Sequence, residues 1–255
     1  MNDSERAKNW CGQVAASYIS DQRRNWYCDV AEAYNKIRPR YPQSLIDRAI
    51  AAAQLRPDAT ILELGCGPGI ATIPFARSGF SMVCLEPSLA ACELARQNCA
   101  AYSDVTIVNT LFEEWPLEPR RFNAVLAANA WHWTPPEIRC QKAAAALKED
   151  GSLILLWDMS PQLSLEFYQV VNEVYQTQAP SVVSEREDQA TQERLLHGLT
   201  QDVADSGLKA PVSEHLPCKT TYSIDDYLAL LNTSSPYRML DPTKRDSIFT
   251  SLRDV

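Results

Sequence analysis

The chain contains the stretch Thr60-Ile-Leu-Glu-Leu-Gly-Cys-Gly-Pro-Gly-Ile-Ala-Thr72. It opens with a largely apolar run typical of a buried strand, and three glycines follow at alternate positions before a helical segment. Glycine suits a tight turn whose backbone approaches a ligand closely, because it has no Cβ. The stretch therefore predicts a strand, a turn and a helix, with a nucleotide-type ligand at the carboxyl end of the strand.

Further strand candidates follow this one, and longer amphipathic or alanine-rich stretches separate them. The candidates cover Thr60–Leu64, Ser81–Leu85, Val105–Asn109, Phe122–Ala127 and Ser152–Trp157, with helices beginning near Gly69, Ser88 and Thr134. A spacing of roughly 20 to 30 residues per strand–helix unit suits right-handed crossovers between parallel strands. We therefore predict an α/β fold with a doubly wound, Rossmann-like, mostly parallel sheet.

One helix has clear predicted ends. Thr134, Pro135, Pro136 and Glu137 have the T-x-x-E pattern of a capping box, with proline at the first helical position. Gly151 is expected to end this segment.

The 255 residues are expected to form a single domain. We predict an N-terminal helical lid over residues 1–55, joined around Arg38–Pro42, and a cofactor-binding core over residues 56–158. A helical insertion over residues 159–210 is expected next. The remaining residues, 211–255, are predicted to hold a sixth strand at Val212–Thr221 and helices near 223–232 and 241–253.

Composition narrows the functional classes. Lys and Arg number 24 and Asp and Glu 32, giving a formal net charge of −8, which disfavours a nucleic-acid partner. No run of 18 apolar residues suggests a membrane helix, and the mixed charges of the first eight residues do not resemble a secretory signal. The eight cysteines form no C-x-x-C pair, which is typical of buried thiols. We expect a cytoplasmic protein without a membrane segment or a metal site.

Two carboxylates indicate which nucleotide is bound. A dinucleotide fingerprint would need glycine or alanine at position 70, where Ile70 stands. Glu63, two residues before Gly65, would repel a pyrophosphate but attract an amino group. Glu86, at the end of the second predicted strand, can accept hydrogen bonds from ribose hydroxyls.

These residues carry a resemblance to a known family. Glu63-x-Gly65-x-Gly67-x-Gly69 followed by Glu86 resembles the first two cofactor motifs of class I S-adenosylmethionine-dependent methyltransferases. Later and flanking segments are similar to a small-molecule branch that includes trans-aconitate methyltransferase; these segments are Tyr34–Pro42, Phe112–Trp115, Ala128–Trp133, Leu147–Leu156 and Leu231–Tyr237. In this family a final antiparallel strand follows the last helix, and we expect the present chain to lack it.

The resemblance implies that S-adenosylmethionine is the cofactor. The turn from Gly65 to Gly69 would hold the methionine part, with Glu63 near its amino group. Glu86 would bind the ribose, and Thr110 stands where the wider family often has an Asp. The full set of implied cofactor residues is Glu63, Gly65, Cys66, Gly67, Gly69, Glu86, Pro87, Leu111, Phe112, Asn129, Ala130 and Trp131.

The implied reaction is methyl transfer to a small-molecule acceptor, and oxygen of a hydroxyl or carboxylate is the preferred target. His132 is the candidate base or orienting donor, although core packing of the Trp131–Trp133 segment is an equal alternative. The acceptor is expected to contact Tyr34, Arg38, Tyr41 and Trp133. Arg38 and Arg40 could clamp an anion or form a solvated turn, and Trp26 and Trp157 could add aromatic walls.

Two alternatives remain open at this point. One is a catalytically silent, cofactor-binding partner of another enzyme. The other is a nicotinamide-dependent oxidoreductase, which Glu63 and Ile70 disfavour. A monomer or a homodimer is expected.

Overall fold

A computed structural model describes residues 24–25, 27–180, 189–208 and 211–255. In this part of the chain five strands form one sheet in the order β3-β2-β1-β4-β5, and every neighbouring pair is parallel. The α/β prediction is confirmed. The strands are β1 (Thr60–Leu64), β2 (Ser81–Glu86), β3 (Val105–Asn109), β4 (Phe122–Ala128) and β5 (Leu147–Leu156).

Helices cover the sheet and flank it in sequence. The helices are α1 (Ala31–Ile37), α2 (Gln43–Ala52), α3 (Thr72–Arg77), α4 (Leu89–Asn98), α5 (Pro136–Ala146), α6 (Leu165–Gln178), α7 (Gln189–Asp205), α8 (Ile224–Asn232), α9 (Ser235–Arg238) and α10 (Pro242–Arg253), with a short 3₁₀ helix at Trp131–Trp133. Ser88 caps α4 by accepting a hydrogen bond from the Ala91 N–H.

The sheet has a buried cluster on each face, as expected when side chains alternate along parallel strands. Ile61 packs with Phe75 and Ile46 on one face, whereas Leu62 and Leu64 pack on the other. Glu63 is two residues after Ile61 and therefore lies on the same face of the strand. The alternation therefore turns Glu63 towards the face that α3 covers.

Three predictions about local structure are wrong. The helix before β5 begins at Pro136 with Pro135 as its N-cap, and no side chain caps it, so the Thr134 capping box does not form. The helix ends at Ala146, and Gly151 lies inside β5. Residues 212–221 form no strand and are mostly exposed. Pro217 has no N–H for a sheet hydrogen bond, and the polar residues of this segment offer little apolar surface to bury.

The C-terminal helices form a separate apolar layer. Val171 of α6, Leu228 of α8 and Ile248 of α10 share one buried cluster. Helix α1 packs against both α4 and α8, and so connects this layer to the sheet. None of the helices in the described residues is long and apolar enough to span a membrane.

Candidate cofactor and acceptor site

A pocket lies at the carboxyl ends of β1, β2, β3 and β4. The order of the strands reverses between β1 and β4, which is where open α/β sheets bind ligands. About 880 Å³ of space, partly open to solvent, lies inside it. The lining residues are Tyr27, Ala31, Tyr34, Leu64, Gly65, Gly67, Pro68, Leu85, Glu86, Pro87, Ala91, Thr110, Leu111, Phe112, Glu113, Ala128, Asn129, Ala130, Trp133 and Thr134.

The glycine turn forms the floor of this pocket. Gly65 and Gly67 have φ values of +61° and +54°, which L side chains rarely adopt. A Cβ on Gly65 would lie 2.8 Å from the Cβ of Ala130, whereas a Cβ on Gly67 would meet nothing within 4 Å. Gly65 is therefore needed for packing, and Gly67 leaves room beside the pocket.

Cys66 and Gly69 are the other two turn residues that were predicted to bind the cofactor, and they lie below the pocket. The N–H of Gly69 closes the turn by donating to the carbonyl of Cys66, and its φ is +89°. Cys66 is buried, and neither residue lines the pocket. Both residues shape the turn, and their contact with the cofactor stays a prediction.

Glu86 holds the glycine turn and also faces the pocket. Its two carboxylate oxygens accept hydrogen bonds from the N–H groups of Gly67 and Ser88, each at 2.8 Å. Burial raises the pKa of Glu86 to about 7, and the two backbone donors oppose the shift. Each carboxylate oxygen has a second lone pair, so Glu86 can still accept hydrogen bonds from two hydroxyls.

Glu63 is buried beneath the turn and does not line the pocket. One oxygen, Oε2, accepts a hydrogen bond from the Thr72 hydroxyl at 2.6 Å. The other, Oε1, has no hydrogen-bond partner in the part of the chain that the structure describes. Burial raises the pKa of Glu63 to about 7. A buried carboxylate oxygen without a partner fits a ligand that brings a cationic donor.

The segment after β3 forms another wall. Leu111 and Phe112 are buried and line the pocket together with Thr110. The Lys142 ammonium lies 5.2 Å from the ring of Phe112 and donates to the carbonyl of Trp115. These residues offer apolar surface and backbone groups to a flat ring, and no Asp is present.

The Trp131–Trp133 segment is divided between core and pocket. The side chain of Trp131 is fully buried against Arg139 and does not line the pocket, and its contact with the cofactor stays a prediction. Trp133 lines the pocket. His132 lies outside the lining, and burial together with the nearby charge of Arg139 lowers its pKa to about 3. An imidazole with this pKa is a poor proton acceptor, which argues against His132 as the base.

Arg38, at the end of α1, forms hydrogen bonds to the residues that follow α8. Its guanidinium donates to the hydroxyl and carbonyl of Thr233 at 2.9 and 3.0 Å and to the Ser234 hydroxyl at 3.0 Å. It also lies 4.8 Å from the centre of the Tyr34 ring. The Nε and Nη2 groups of Arg38 therefore make structural contacts, and the anion clamp stays a prediction.

Asn129 connects the pocket to Tyr41, which was expected at the acceptor site, and to Asp158, which follows β5. Its amide donates to the Tyr41 hydroxyl at 3.2 Å, and its Oδ1 accepts from the Asp158 N–H at 3.0 Å. Its φ is +52°, a conformation that asparagine tolerates better than most residues. Tyr41 itself does not line the pocket, Tyr34 does, and Trp26 lies outside the described residues.

The arrangement fits S-adenosylmethionine. Glu86 can bind a ribose, and the glycine turn has room for the methionine part. Phe112 and Leu111 offer apolar contacts to an adenine.

Comparisons with known proteins agree with this fit. Residues 61–151 match the family model described as a methyltransferase domain. An uncharacterised methyltransferase of Mycobacterium tuberculosis is 34% identical over 126 residues, which are 49% of this chain and 49% of that protein. A Saccharomyces cerevisiae protein named as an S-adenosylmethionine-dependent methyltransferase is 25% identical over 146 residues, covering 56% of this chain and 50% of that protein. The matched region thus spans about half the length of these relatives.

Solved structures show the same fold over most of the chain. A type II methyltransferase from Anaeromyxobacter dehalogenans matches with a TM-score of 0.59 and 21% identity, covering 85% of this chain and 88% of that one. A methyltransferase from an antibiotic biosynthesis pathway of Anabaena variabilis matches with a TM-score of 0.55 and 15% identity, covering 83% and 84%. Residues 61–151 thus match a methyltransferase domain, and the chain shares the fold of the solved methyltransferase structures that it resembles.

Proposed function

We propose that the protein transfers a methyl group from S-adenosylmethionine to oxygen of a small-molecule acceptor. The observation that carries this proposal is the position of Glu86 at the pocket, hydrogen-bonded to the glycine turn through the Gly67 N–H. The lining supports a small acceptor, because small-molecule sites are typically clefts lined by apolar and aromatic side chains with a few polar groups.

The chain's own contribution is binding and alignment. When bound, the cofactor would supply an electrophilic methyl group. A lone pair of the acceptor oxygen would form the new bond to the methyl carbon, and the sulfur would keep the electrons of the broken bond, giving S-adenosylhomocysteine. The proton of a hydroxyl acceptor would pass to water. Alignment of two reactants can contribute about 7–11 kcal/mol. The apolar and aromatic walls limit water around the acceptor.

The test is incubation of metabolite extracts with donor that carries an isotopically labelled methyl group, followed by mass analysis. We expect one or a few small molecules to gain the label. Glu86→Ala should lower the rate at low donor concentration by about ten- to hundredfold, since a hydrogen bond to a charged group contributes about 1.5–3 kcal/mol. Glu113→Ala, the other carboxylate of the lining, is the matched control and should have a smaller effect.

The same experiment addresses the catalytically silent alternative. Burial of His132 and its low pKa leave the pocket without an evident histidine base, which is the observation that favours this alternative. Binding of S-adenosylhomocysteine without label transfer to any extract component would support it and contradict the proposed activity.

A further inference from the structure

The charge of the pocket lining restricts the acceptor. Among the described residues that line it, the acidic side chains are Glu86 and Glu113, and no lysine, arginine or histidine is present. A carboxylate or phosphate group of an acceptor would therefore find no cationic side chain among these lining residues to offset the loss of its hydration.

The basic side chains around the mouth bind other protein groups. Arg38 binds Thr233 and Ser234, as described above. Arg40 donates to the carbonyl of Asn35, and Arg24 forms an ion pair with Glu114. Lys142 donates to the carbonyls of Glu113 and Trp115 at 3.0 and 2.6 Å. These contacts hold each of the four basic side chains on protein groups, and Arg24 is paired with a carboxylate.

Three aromatic side chains of the lining have no assigned contact with the cofactor. The rings of Tyr27 and Tyr34 lie 5.4 Å apart edge to face, and those of Tyr27 and Trp133 lie 6.0 Å apart in the same arrangement. All three residues line the pocket. Tyr27 stands at the centre of this aromatic wall, and nothing in the sequence indicated its place. Such a wall favours a flat, apolar ligand.

We propose that the acceptor is a planar aromatic alcohol without negative charge, and that Tyr27 helps to select it. This inference rests on the proposed function and narrows it. Of the two acceptor oxygens expected from the sequence, it keeps the hydroxyl and drops the carboxylate.

The test is calorimetric binding of three matched probes to the protein saturated with S-adenosylhomocysteine, near neutral pH. The probes are naphthol, naphthoate and the saturated alcohol decalol. Naphthol should bind at least about tenfold more tightly than either of the others, because naphthoate adds a charge and decalol is not flat. Equal or tighter binding of naphthoate, or equal binding of decalol, would overturn the inference.

Variants of Tyr27 test the role of the wall. Tyr27→Leu should weaken naphthol binding by about tenfold, whereas the matched variant Tyr27→Phe should retain it, because the ring is kept. Tyr27→Arg should shift the preference towards naphthoate. Equal naphthol affinity of Tyr27→Leu and the parent would remove Tyr27 from the proposal.

Failure of this inference and of the proposed function can be told apart. Binding of S-adenosylhomocysteine is measured first on each protein. If it binds and naphthoate is preferred, only the acceptor class is wrong; if it does not bind to the folded parent protein, the proposed function itself is contradicted.

Discussion

Gly67 combines a left-handed backbone with an open position at the pocket. Gly79, far from the pocket lining, has a similar positive φ of +90° and also has space for a Cβ. Alanine at either position should lower the free energy of unfolding by about 1 kcal/mol, because both force an L residue into this conformation. Only Gly67→Ala should also weaken S-adenosylhomocysteine binding. Urea unfolding and calorimetry on both variants check this, and an equal loss of affinity in Gly79→Ala would contradict it.

The buried carboxylate of Glu63 predicts a pH dependence of stability. Its pKa in the folded state is about 7, against about 4.5 when exposed. Between these values the folded state holds a proton that the unfolded state has released, so stability should fall as the pH rises from about 4.5 to about 7. The effect of Glu63 is at most about 3 kcal/mol.

Urea unfolding across this pH range measures the effect. Glu63→Gln should remove part of the decline, and Glu86→Gln should remove another part, since its pKa is also raised to about 7. An unchanged pH profile in Glu63→Gln would mean that Glu63 does not carry the shift.

At the scale of elements, helix α1 is joined to the C-terminal helices by side chains distant in sequence. Arg38 joins the segment after α1 to Thr233 and Ser234 at the end of α8. Arg38→Ala should cost about 2–3 kcal/mol in unfolding free energy, and Arg38→Lys should cost less because one charged donor remains. Arg48→Ala, which removes an exposed ion pair with Glu214, is the control and should cost no more than about 1 kcal/mol. Equal losses at both positions would contradict a fastening role.

The accuracy of sequence prediction differed between elements for physical reasons. The strands β1, β2 and β4 were predicted within a residue or so because they lie inside the sheet and consist largely of buried apolar residues. The edge strand β3 was also predicted correctly, from its β-branched residues, although it is only partly buried. The capping box failed because Pro135 took the N-cap position in place of Thr134. The strand expected at Val212–Thr221 failed because its alternation of residues had no apolar face to bury.

The parts of the site that lie within one stretch of sequence could be predicted. The contacts between residues distant in sequence could not. The positions of Gly65, Gly67 and Glu86 follow from strand ends and turns that the sequence shows directly. The contact between Asn129 and Tyr41 and the packing of Tyr27 on Trp133 depend on how the lid lies on the sheet. The separation of Trp131 from Trp133 depends on a single 3₁₀ turn, which no periodicity indicates.

At the scale of the whole molecule, three features lie together at the carboxyl ends of the strands. The strand order reverses there, the glycine turn leaves space there, and the carboxylate of Glu86 faces the pocket there. The net charge of −8 is compatible with a cationic cofactor and an acceptor without negative charge. The central claim is therefore that this pocket binds S-adenosylmethionine and its product.

Titration calorimetry with S-adenosylhomocysteine tests that claim most directly. We predict saturable binding to a single site on the parent protein, loss of affinity in Glu86→Ala, and no heat of binding with NADH. Absence of binding to the folded protein at millimolar S-adenosylhomocysteine, or binding that Glu86→Ala leaves unchanged, would contradict the account.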